Sequence, residues 1–280
     1  DDSYYWGVVR RFALPLVGAI GAKLMTHRDE KPASGDKIFA HDVNLGFPLD
    51  HPDWANFFEG HGWRTAGYDD MGKLTAELQA HAAAAAFLPA ANYFFVRNDP
   101  AYAGLASGLA MRTGDTTVSS VLVVPKTSAA RSILDLKGAR LGYINTYCTT
   151  SFFAPAILLS EHGVQFDGFF STQPTGAWQG QIDAMLAGDV DATMVEEGIW
   201  EDKPANHAST KIIGKVDRLP GPLVVLARGV ERDFASAFLA RLLATKTAKP
   251  HQPFAGYAAY CADAVRDFFA RCERAFPAVT

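Results

Sequence analysis

Short apolar segments alternate with helical patterns along most of the chain. The β-branched run Val118–Val124 predicts a strand that ends at Pro125. The alanine-rich segment Leu74–Ala85 predicts a helix, because alanine has the highest helix propensity. Strands separated by helices usually form mostly parallel sheets, so the pattern predicts an α/β fold.

The remaining elements follow from the same pattern. Further strands are predicted at Trp63–Tyr68, Ala86–Leu88, Ala139–Ile144, Phe169–Thr172, Val190–Val195 and Leu223–Ala227. Further helices are predicted at Ala90–Val96, Ser151–His162, Ala177–Ala187, Phe234–Leu243 and Tyr257–Phe269. The first strand of the sheet has two alternatives, near Val9–Leu14 or near Val43–Phe47.

Length and charge narrow the class of protein. The 280 residues suggest about two domains. A formal net charge of −4, from 26 basic and 30 acidic residues, lacks the electrostatic footprint of a nucleic-acid-binding protein. The apolar run Phe12–Ala22 is too short to span a membrane. Arg10 and Arg11 before it give it some likeness to a secretory signal, but a buried strand and helix explain it more simply.

Motifs for catalysis and metal binding are sparse. The sequence has no P-loop, no G-x-G-x-x-G after a strand and no H-E-x-x-H, so no cofactor is expected. Asp50, His51 and Asp53 offer oxygens and an imidazole to a metal ion, although they more simply cap a helix. Cys261 and Cys272 would lie about 16 Å apart in an unbroken helix, beyond disulfide reach.

An ordered set of motifs identifies a family resemblance. The segment "DLKGARLGY" at 135–143 is followed by "LLSEHGV", "AMLAGDVDATMVEE" and "PGPLVVLARG", and it is preceded by "YDDMGKLTAELQAHAAAAAFLPAANY". From about Trp63 to Gly229 this order resembles the phosphate/phosphonate-type substrate-binding proteins of ABC transporters. These are type II periplasmic binding proteins.

The resemblance implies a clamp of two lobes, each a mixed, mostly parallel sheet flanked by helices. Lobe 1 would comprise residues 1–117 and 231–280, and lobe 2, inserted into it, residues 118–230. Two hinge crossings would lie near Thr117 and Val230. From the resemblance we expect a periplasmic monomer whose signal peptide would have been removed before Asp1. It captures a small molecule in the cleft by hinge closure and delivers it to an ABC permease in the inner membrane.

Thr149, Thr150 and Ser151 begin the helix after the strand Ala139–Ile144. A helix start offers unpaired N–H groups and partial positive charge, and hydroxyl side chains add donors. An anionic oxygen is therefore expected to bind here, as the family resemblance also implies. The alternative is plain capping, which needs only one such residue.

Other candidate contacts come from the resemblance or from their position at strand ends. Asn92 and Tyr93 occupy the corresponding position in lobe 1. Glu196 and Glu197 end a strand, and alternation is expected to turn one of them toward the ligand. Additional candidates are Tyr147 and Trp178 as aromatic walls, Gln179 as a donor, and Asp69 at a lobe 1 strand end.

The candidate loops lack Lys and Arg and lie near two glutamates, which argues against a bare, multiply charged anion. A phosphonate ester, an amino- or hydroxy-bearing organic ligand and a metal complex remain open. Two other functions also remain open: an enzyme on the same fold, resembling thiamine-pyrimidine synthesis enzymes and using Cys148, or a periplasmic sensor.

Overall fold

A computed structural model of the chain describes residues 37–49, 51–176, 178–246 and 254–277. These residues form two compact units. The first contains residues 37–116 and 221–261, and the second contains residues 117–220 and 262–277, apart from the gaps.

Eleven strands and nine α-helices occur in the described residues. The strands are β1 (Lys37–Asp42), β2 (Trp63–Tyr68), β3 (Ala85–Leu88), β4 (Tyr102–Ala110), β5 (Thr117–Pro125), β6 (Arg140–Tyr143), β7 (Ser171–Pro174), β8 (Ala192–Glu196), β9 (Thr210–Pro220), β10 (Leu223–Ala227) and β11 (Phe254–Ala259). The α-helices are α1 (Pro52–Gly60), α2 (Met71–Gln79), α3 (Ala90–Phe94), α4 (Ala154–Glu161), α5 (Gln179–Ala187), α6 (Glu197–Glu201), α7 (Pro204–Ser209), α8 (Arg232–Ala244) and α9 (Ala262–Ala275). Short 3-10 turns cover Val43–Leu45 and Ile133–Leu136, and a π-helical turn at Thr149–Phe153 leads directly into α4.

The first unit contains a six-stranded mixed sheet of order β11-β4-β10-β3-β1-β2. Strands β1, β2 and β3 are parallel, whereas β10 runs antiparallel to β3 and β4. An aromatic cluster on one face includes Phe39 and Phe58, and α8 adds Phe234 and Phe238 to it. Trp63 of β2 stacks on Phe234 at 4.2 Å between ring centroids, which fixes α8 against the sheet.

The second unit contains a five-stranded mixed sheet of order β7-β6-β8-β5-β9. Strand β6 pairs in parallel with β7 and β8, and β5 runs antiparallel to β8 and β9. Its aliphatic core combines Val121 and Val123 of β5 with Ile182 and Met185 of α5. Because β6, β7 and β8 point the same way, their carboxyl ends lie at one edge of the sheet.

The alanine run shows burial overriding helix propensity. The predicted helix Leu74–Ala85 ends at Gln79, and His81 follows with a φ of 54°. Ala85 instead begins β3, followed by Ala86 of the predicted strand, and both are fully buried between β1 and β10. Small side chains fit this central strand, so tertiary burial decides its conformation.

The chain passes between the two units three times rather than twice. The passages fall after residues 116, 220 and 261, so the first segment of the second unit ends ten residues before the predicted boundary at 230. The difference arises because β10 pairs between β3 and β4 in the first sheet.

The C-terminal helix α9 was predicted in the first lobe but packs in the second unit. Arg271 donates to the Glu161 carboxylate at 2.9 Å and to the Asp217 carbonyl at 2.8 Å. Phe268 is fully buried, with its ring centroid 6.1 Å from that of Phe153.

Other boundaries also differ from the prediction. The segment predicted as a helix from Tyr257 begins within β11, which adds to the sheet edge beside β4. Strands β4 and β9 were not predicted, because one is rich in Gly and Ala and the other carries charged residues. The first described strand is β1, while Val43–Leu45 forms a 3-10 turn and Val9–Leu14 lies outside the described residues.

Phe268→Ala is expected to lower the free energy of unfolding by about 3–5 kcal/mol, because it leaves a cavity under α9. Phe269→Ala is the matched control, since the Phe269 side chain is only partly buried and should cost less. Urea unfolding of both variants measures the difference. Equal losses would contradict the packing of α9 described above.

Candidate functional site

Three segments of the second unit begin at the carboxyl edge of its parallel strands. In the β6 register, Gly142 lies opposite Gln173 of β7 and Thr193 of β8. Residues 144–151, 175–176 and 196–200 therefore start at the same edge, where open α/β sheets generally bind ligands. None of these segments contains Lys or Arg.

The helix start at this edge is a π-helical turn. The Cys148 carbonyl accepts hydrogen bonds from the N–H groups of Phe152 and Phe153, both at 3.1 Å. The Cys148 sulfur accepts the Ser151 N–H at 3.4 Å, and the Ser151 hydroxyl accepts the Ile144 N–H at 3.0 Å. Ser151 thus ties the loop to the helix, and π-helical turns recur at functional sites.

Thr149 is buried and Thr150 is partly buried. The Thr150 hydroxyl lies 3.5 Å from the Cys148 sulfur, an acceptor or donor that is weaker than oxygen. The Thr150 hydroxyl is therefore less committed to a strong internal bond than the Ser151 hydroxyl, which accepts the Ile144 N–H. Tyr147 precedes them, partly buried, and its N–H donates to Asn145 Oδ1 at 2.8 Å.

Ser120 joins this helix start to β8. Its hydroxyl oxygen lies 2.8 Å from the Thr150 carbonyl oxygen and 3.0 Å from the Val195 carbonyl oxygen. Ser120 is fully buried and stands opposite Glu196 in the strand register. Ser120 was not predicted as a site residue, although a serine within the apolar run of β5 was a signal.

Glu196 and Glu197 differ sharply in their surroundings. The Glu197 carboxylate forms an ion pair with Lys215, with its two oxygens 2.9 and 2.8 Å from Nζ. Glu196 is mostly buried, and no residue in the described part of the chain donates a hydrogen bond to its carboxyl group. Removal of water by burial, together with repulsion from Asp202, raises the pKa of Glu196 to about 7.

Trp178 and Gln179 begin α5 beside the same edge. Trp178 has a φ of 54° and a ψ of −120°, a conformation that is strained for a residue with a side chain. The Gln179 amide exchanges two hydrogen bonds with the Asn206 amide, at 3.0 and 3.2 Å. Asn206 also donates to the Trp200 carbonyl at 3.0 Å, so Gln179 belongs to an internal network that the sequence analysis did not detect.

In the first unit, Asn92 lies in α3 and is fully buried. Its amide nitrogen donates to the Met71 carbonyl at 3.0 Å and to the Thr75 hydroxyl at 2.8 Å. Its amide oxygen is buried without a partner among the described residues. Such an acceptor is costly to leave unpaired, so a donor from water or a ligand is expected there.

Asp69 and Tyr93 lie apart from that arrangement. Asp69 is exposed, and its neighbour Asp70 caps α2 by accepting the N–H groups of Gly72 and Lys73. Tyr93 lines a pocket of about 380 Å³ together with Arg97, Asp99, Arg228 and Tyr260.

That pocket lies toward the amino end of β3. The Ala227 N–H bonds the Ala84 carbonyl just before β3, and the Arg228 N–H bonds the Ala101 carbonyl, each at 2.8 Å. Tyr93 therefore faces the sheet edge opposite the carboxyl ends of β1, β2 and β3.

His41 is the second-to-last residue of β1 and was not predicted as a site residue. Its Nδ1 atom is buried without a partner among the residues described, and burial lowers the pKa of the imidazole. Of the three weak metal candidates, Asp50 lies outside the described residues, and His51 accepts the Asp53 N–H to cap α1. Within the described ranges, no three metal-binding side chains are grouped to hold a metal ion.

The fold places the chain in a class of protein. Two α/β units, each with a mixed sheet flanked by helices, match the solved structures of two-lobed periplasmic binding proteins. The binding protein component of an ABC phosphonate transporter from Pseudomonas aeruginosa has a TM-score of 0.61 and 15% identity, over 88% of this chain and 90% of that chain. PhnD1 from Prochlorococcus marinus, solved with methylphosphonate, has a TM-score of 0.63 and 13% identity, over 85% and 97%. A Xanthomonas citri protein solved with ATP has a TM-score of 0.69 and 13% identity, over 87% and 99%.

The family model for the periplasmic substrate-binding proteins of phosphonate ABC transporters matches residues 66–258, and the chain belongs to this family. Comparison with the curated proteins found no match. The predicted fold class and family are confirmed, and so is the function as a solute-binding component for small-ligand import. Membership implies a periplasmic location, a small-molecule ligand and a permease partner. In the described ranges, no helix has the length and hydrophobicity needed to cross a membrane.

The raised pKa of Glu196 predicts a pH-dependent stability. Because the folded-state pKa lies above the ordinary value of 4.5, the folded protein loses stability as the pH rises from about 4.5 to 7. Glu196→Gln removes this loss of stability. The free energy of unfolding of the variant minus that of the wild type should therefore be about 2–3 kcal/mol larger at pH 8 than at pH 4.

Urea unfolding at both pH values measures that difference, with Glu197→Gln as the control. Glu197 is paired with Lys215, so its replacement should not produce the same pH-dependent gain. A Glu196→Gln curve parallel to that of the wild type would show that burial does not perturb the carboxyl group.

Proposed function

We propose that the protein binds a small organic oxyanion of the phosphonate class at the carboxyl edge of β6 and β8. The anionic head would be held by the hydroxyl and N–H groups of Thr149 and Thr150. Ser151, whose N–H and hydroxyl tie the loop to the helix, would hold these donors in place. The observation that carries this proposal is the position of Ser120, which joins the Thr150 carbonyl to the end of β8 and so brings the helix start beside Glu196.

The electrostatics of this edge favour an anion of low charge. A helix start supplies partial positive charge and donors, which suits an anion without Lys or Arg. Lys215, which contacts Glu197, is also 3.2 Å from Asp217, so acidic partners already neutralise it. Without a countercharge, a fully ionised ligand beside Glu196 would be repelled.

Aromatic side chains fit the organic part of such a ligand. Trp178 and Tyr147 flank the edge. The strained backbone of Trp178 costs conformational energy, and such strain tends to occur at functional sites, which supports a role for Trp178 in ligand contact. Gln179 and Glu197 then act through internal bonds that keep α5 and α6 in place. In the first unit, described by itself, Asn92 with its unpaired amide oxygen is the candidate polar contact.

The enzyme alternative receives less support from the surroundings of Cys148. Its sulfur contacts the Ser151 N–H and the Thr150 hydroxyl, and neither group acts as a base. We therefore propose that the protein binds its ligand without turnover and acts as a monomer.

Isothermal titration calorimetry with methylphosphonate tests the site. Thr150→Val keeps the side-chain shape but removes a hydroxyl donor to a charged ligand, so affinity is expected to fall about 10- to 100-fold. Thr127→Val is the matched control, because exposed Thr127 follows β5 at the opposite edge of the sheet, and it should bind like the wild type.

Two results would contradict the proposal. One is the absence of binding by the wild type to methylphosphonate and to its aminoethyl and monoester analogues. The other is an equal affinity of Thr150→Val and the wild type for the ligand that binds. Circular dichroism of each variant confirms that the comparison is between folded proteins.

A further inference from the structure

We propose that Glu196 and the bound oxyanion share one proton, so that the protein takes up a proton when it captures its ligand. This inference rests on the proposed function and specifies the protonation state of the same site. It makes Glu196 a determinant of which anions bind and at which pH they are released.

The fold leaves the Glu196 carboxyl group without a structural task. The residue occupies the N-cap position of α6, yet its side chain makes no capping hydrogen bond. On the neighbouring strand β5, the Ser120 hydroxyl is directed to main-chain carbonyls instead. A mostly buried carboxyl group that neither caps nor forms an ion pair with a described residue is available to a ligand.

The charged groups around Glu196 do not favour its ionised form. Strand β5 has no ionisable side chain, and the helix-start segment offers only Tyr147 and Cys148. On α6 and just after it stand the acidic residues Glu197, Glu201 and Asp202. Exposed Lys203 follows, and the His207 ring of α7 lies 4.0 Å from the Trp200 ring, measured between centroids, but neither residue forms an ion pair with Glu196 in the described part of the chain. Lys215 of β9 is engaged by Glu197 and Asp217, and Asp183 of α5 accepts from Gln179.

An anion at this edge therefore meets an acidic group that lacks a cationic partner. Two negative charges a few ångströms apart in a partly buried site strongly repel each other. A proton between them replaces this repulsion by a charge-assisted hydrogen bond, in which the carboxyl group donates to the anion or accepts from its P–OH group. The raised pKa of Glu196 means that the proton is available near neutral pH at little cost.

This arrangement selects among ligands by their charge and donors. It favours monoanions and anions that accept or carry a proton, and it disfavours dianions as the pH rises. Above the pKa of the free site, affinity should fall about tenfold per pH unit for each proton taken up. The mild negative charge of the chain, −4, adds no compensating long-range attraction.

Calorimetric titration with methylphosphonate at pH 8, in buffers of different ionisation enthalpy, counts the protons taken up. The comparison between the wild type and Glu196→Gln cancels the ligand's own ionisation. We expect the wild type to take up close to one proton more than Glu196→Gln, and its affinity to fall about tenfold more from pH 7.5 to 8.5. Glu197→Gln, the matched control, should retain the proton uptake of the wild type.

The outcomes separate this inference from the proposed function. If the wild type binds no oxyanion, the proposed function fails. If it binds methylphosphonate while proton uptake is equal in the wild type and in Glu196→Gln, only the shared proton is overturned. A preference for 2-aminoethylphosphonate that Glu196→Gln abolishes, without proton uptake, would also overturn it, because Glu196 would then pair with the ammonium group as a carboxylate.

Discussion

The parallel pairing of β6 with β8 is the constraint on which the candidate site depends. Because the two strands are parallel, both end at the same edge of the sheet. The chain continues from β6 into the loop before α4 and from β8 into α6. The Ser120 hydroxyl, placed by the antiparallel strand β5, then contacts both main-chain segments. Residues almost fifty positions apart in sequence thus lie beside a single buried side chain.

The electrostatic character of this edge follows from the donors and the acidic side chain that the sheet places there. Donors come from main-chain N–H groups and hydroxyls, whereas the only ionisable side chain left unpaired among those described at the edge is acidic. An anion site of this kind works through short-range hydrogen bonds rather than through net positive charge. Selectivity among anions then depends on how many protons the ligand and Glu196 hold between them. Lys215 pairs with Glu197, so Glu196 has no cationic partner and can share a proton with the ligand.

Much of the fold was predictable from the sequence because its strands and helices follow simple patterns. The run Val118–Val124 and the segment Leu223–Ala227 were found as strands because β-branched and aliphatic residues dominate them. The end of the predicted helix in the alanine run was wrong, because burial in a central strand has a larger effect on conformation than helix propensity. Helix α9 was placed in the wrong unit because an amphipathic pattern shows that a face is buried, but not against which partner.

The candidate site was predictable only in part. The hydroxyl run at 149–151 carried its own chemical signal, and strand alternation indicated that Glu196 and Glu197 would differ without showing which was paired. The choice between them depends on Lys215, eighteen residues further on in β9, a strand that was not predicted. Gln179 presented the same difficulty, because its partner Asn206 lies beyond the next strand and helix.

A crystal structure of the protein grown with methylphosphonate would locate the ligand. We expect phosphonate oxygens within hydrogen-bond distance of the N–H or hydroxyl groups at 149–151, with one oxygen in a short contact with the Glu196 carboxyl group. Phosphonate bound elsewhere, with Glu196 facing only solvent or protein, would contradict it.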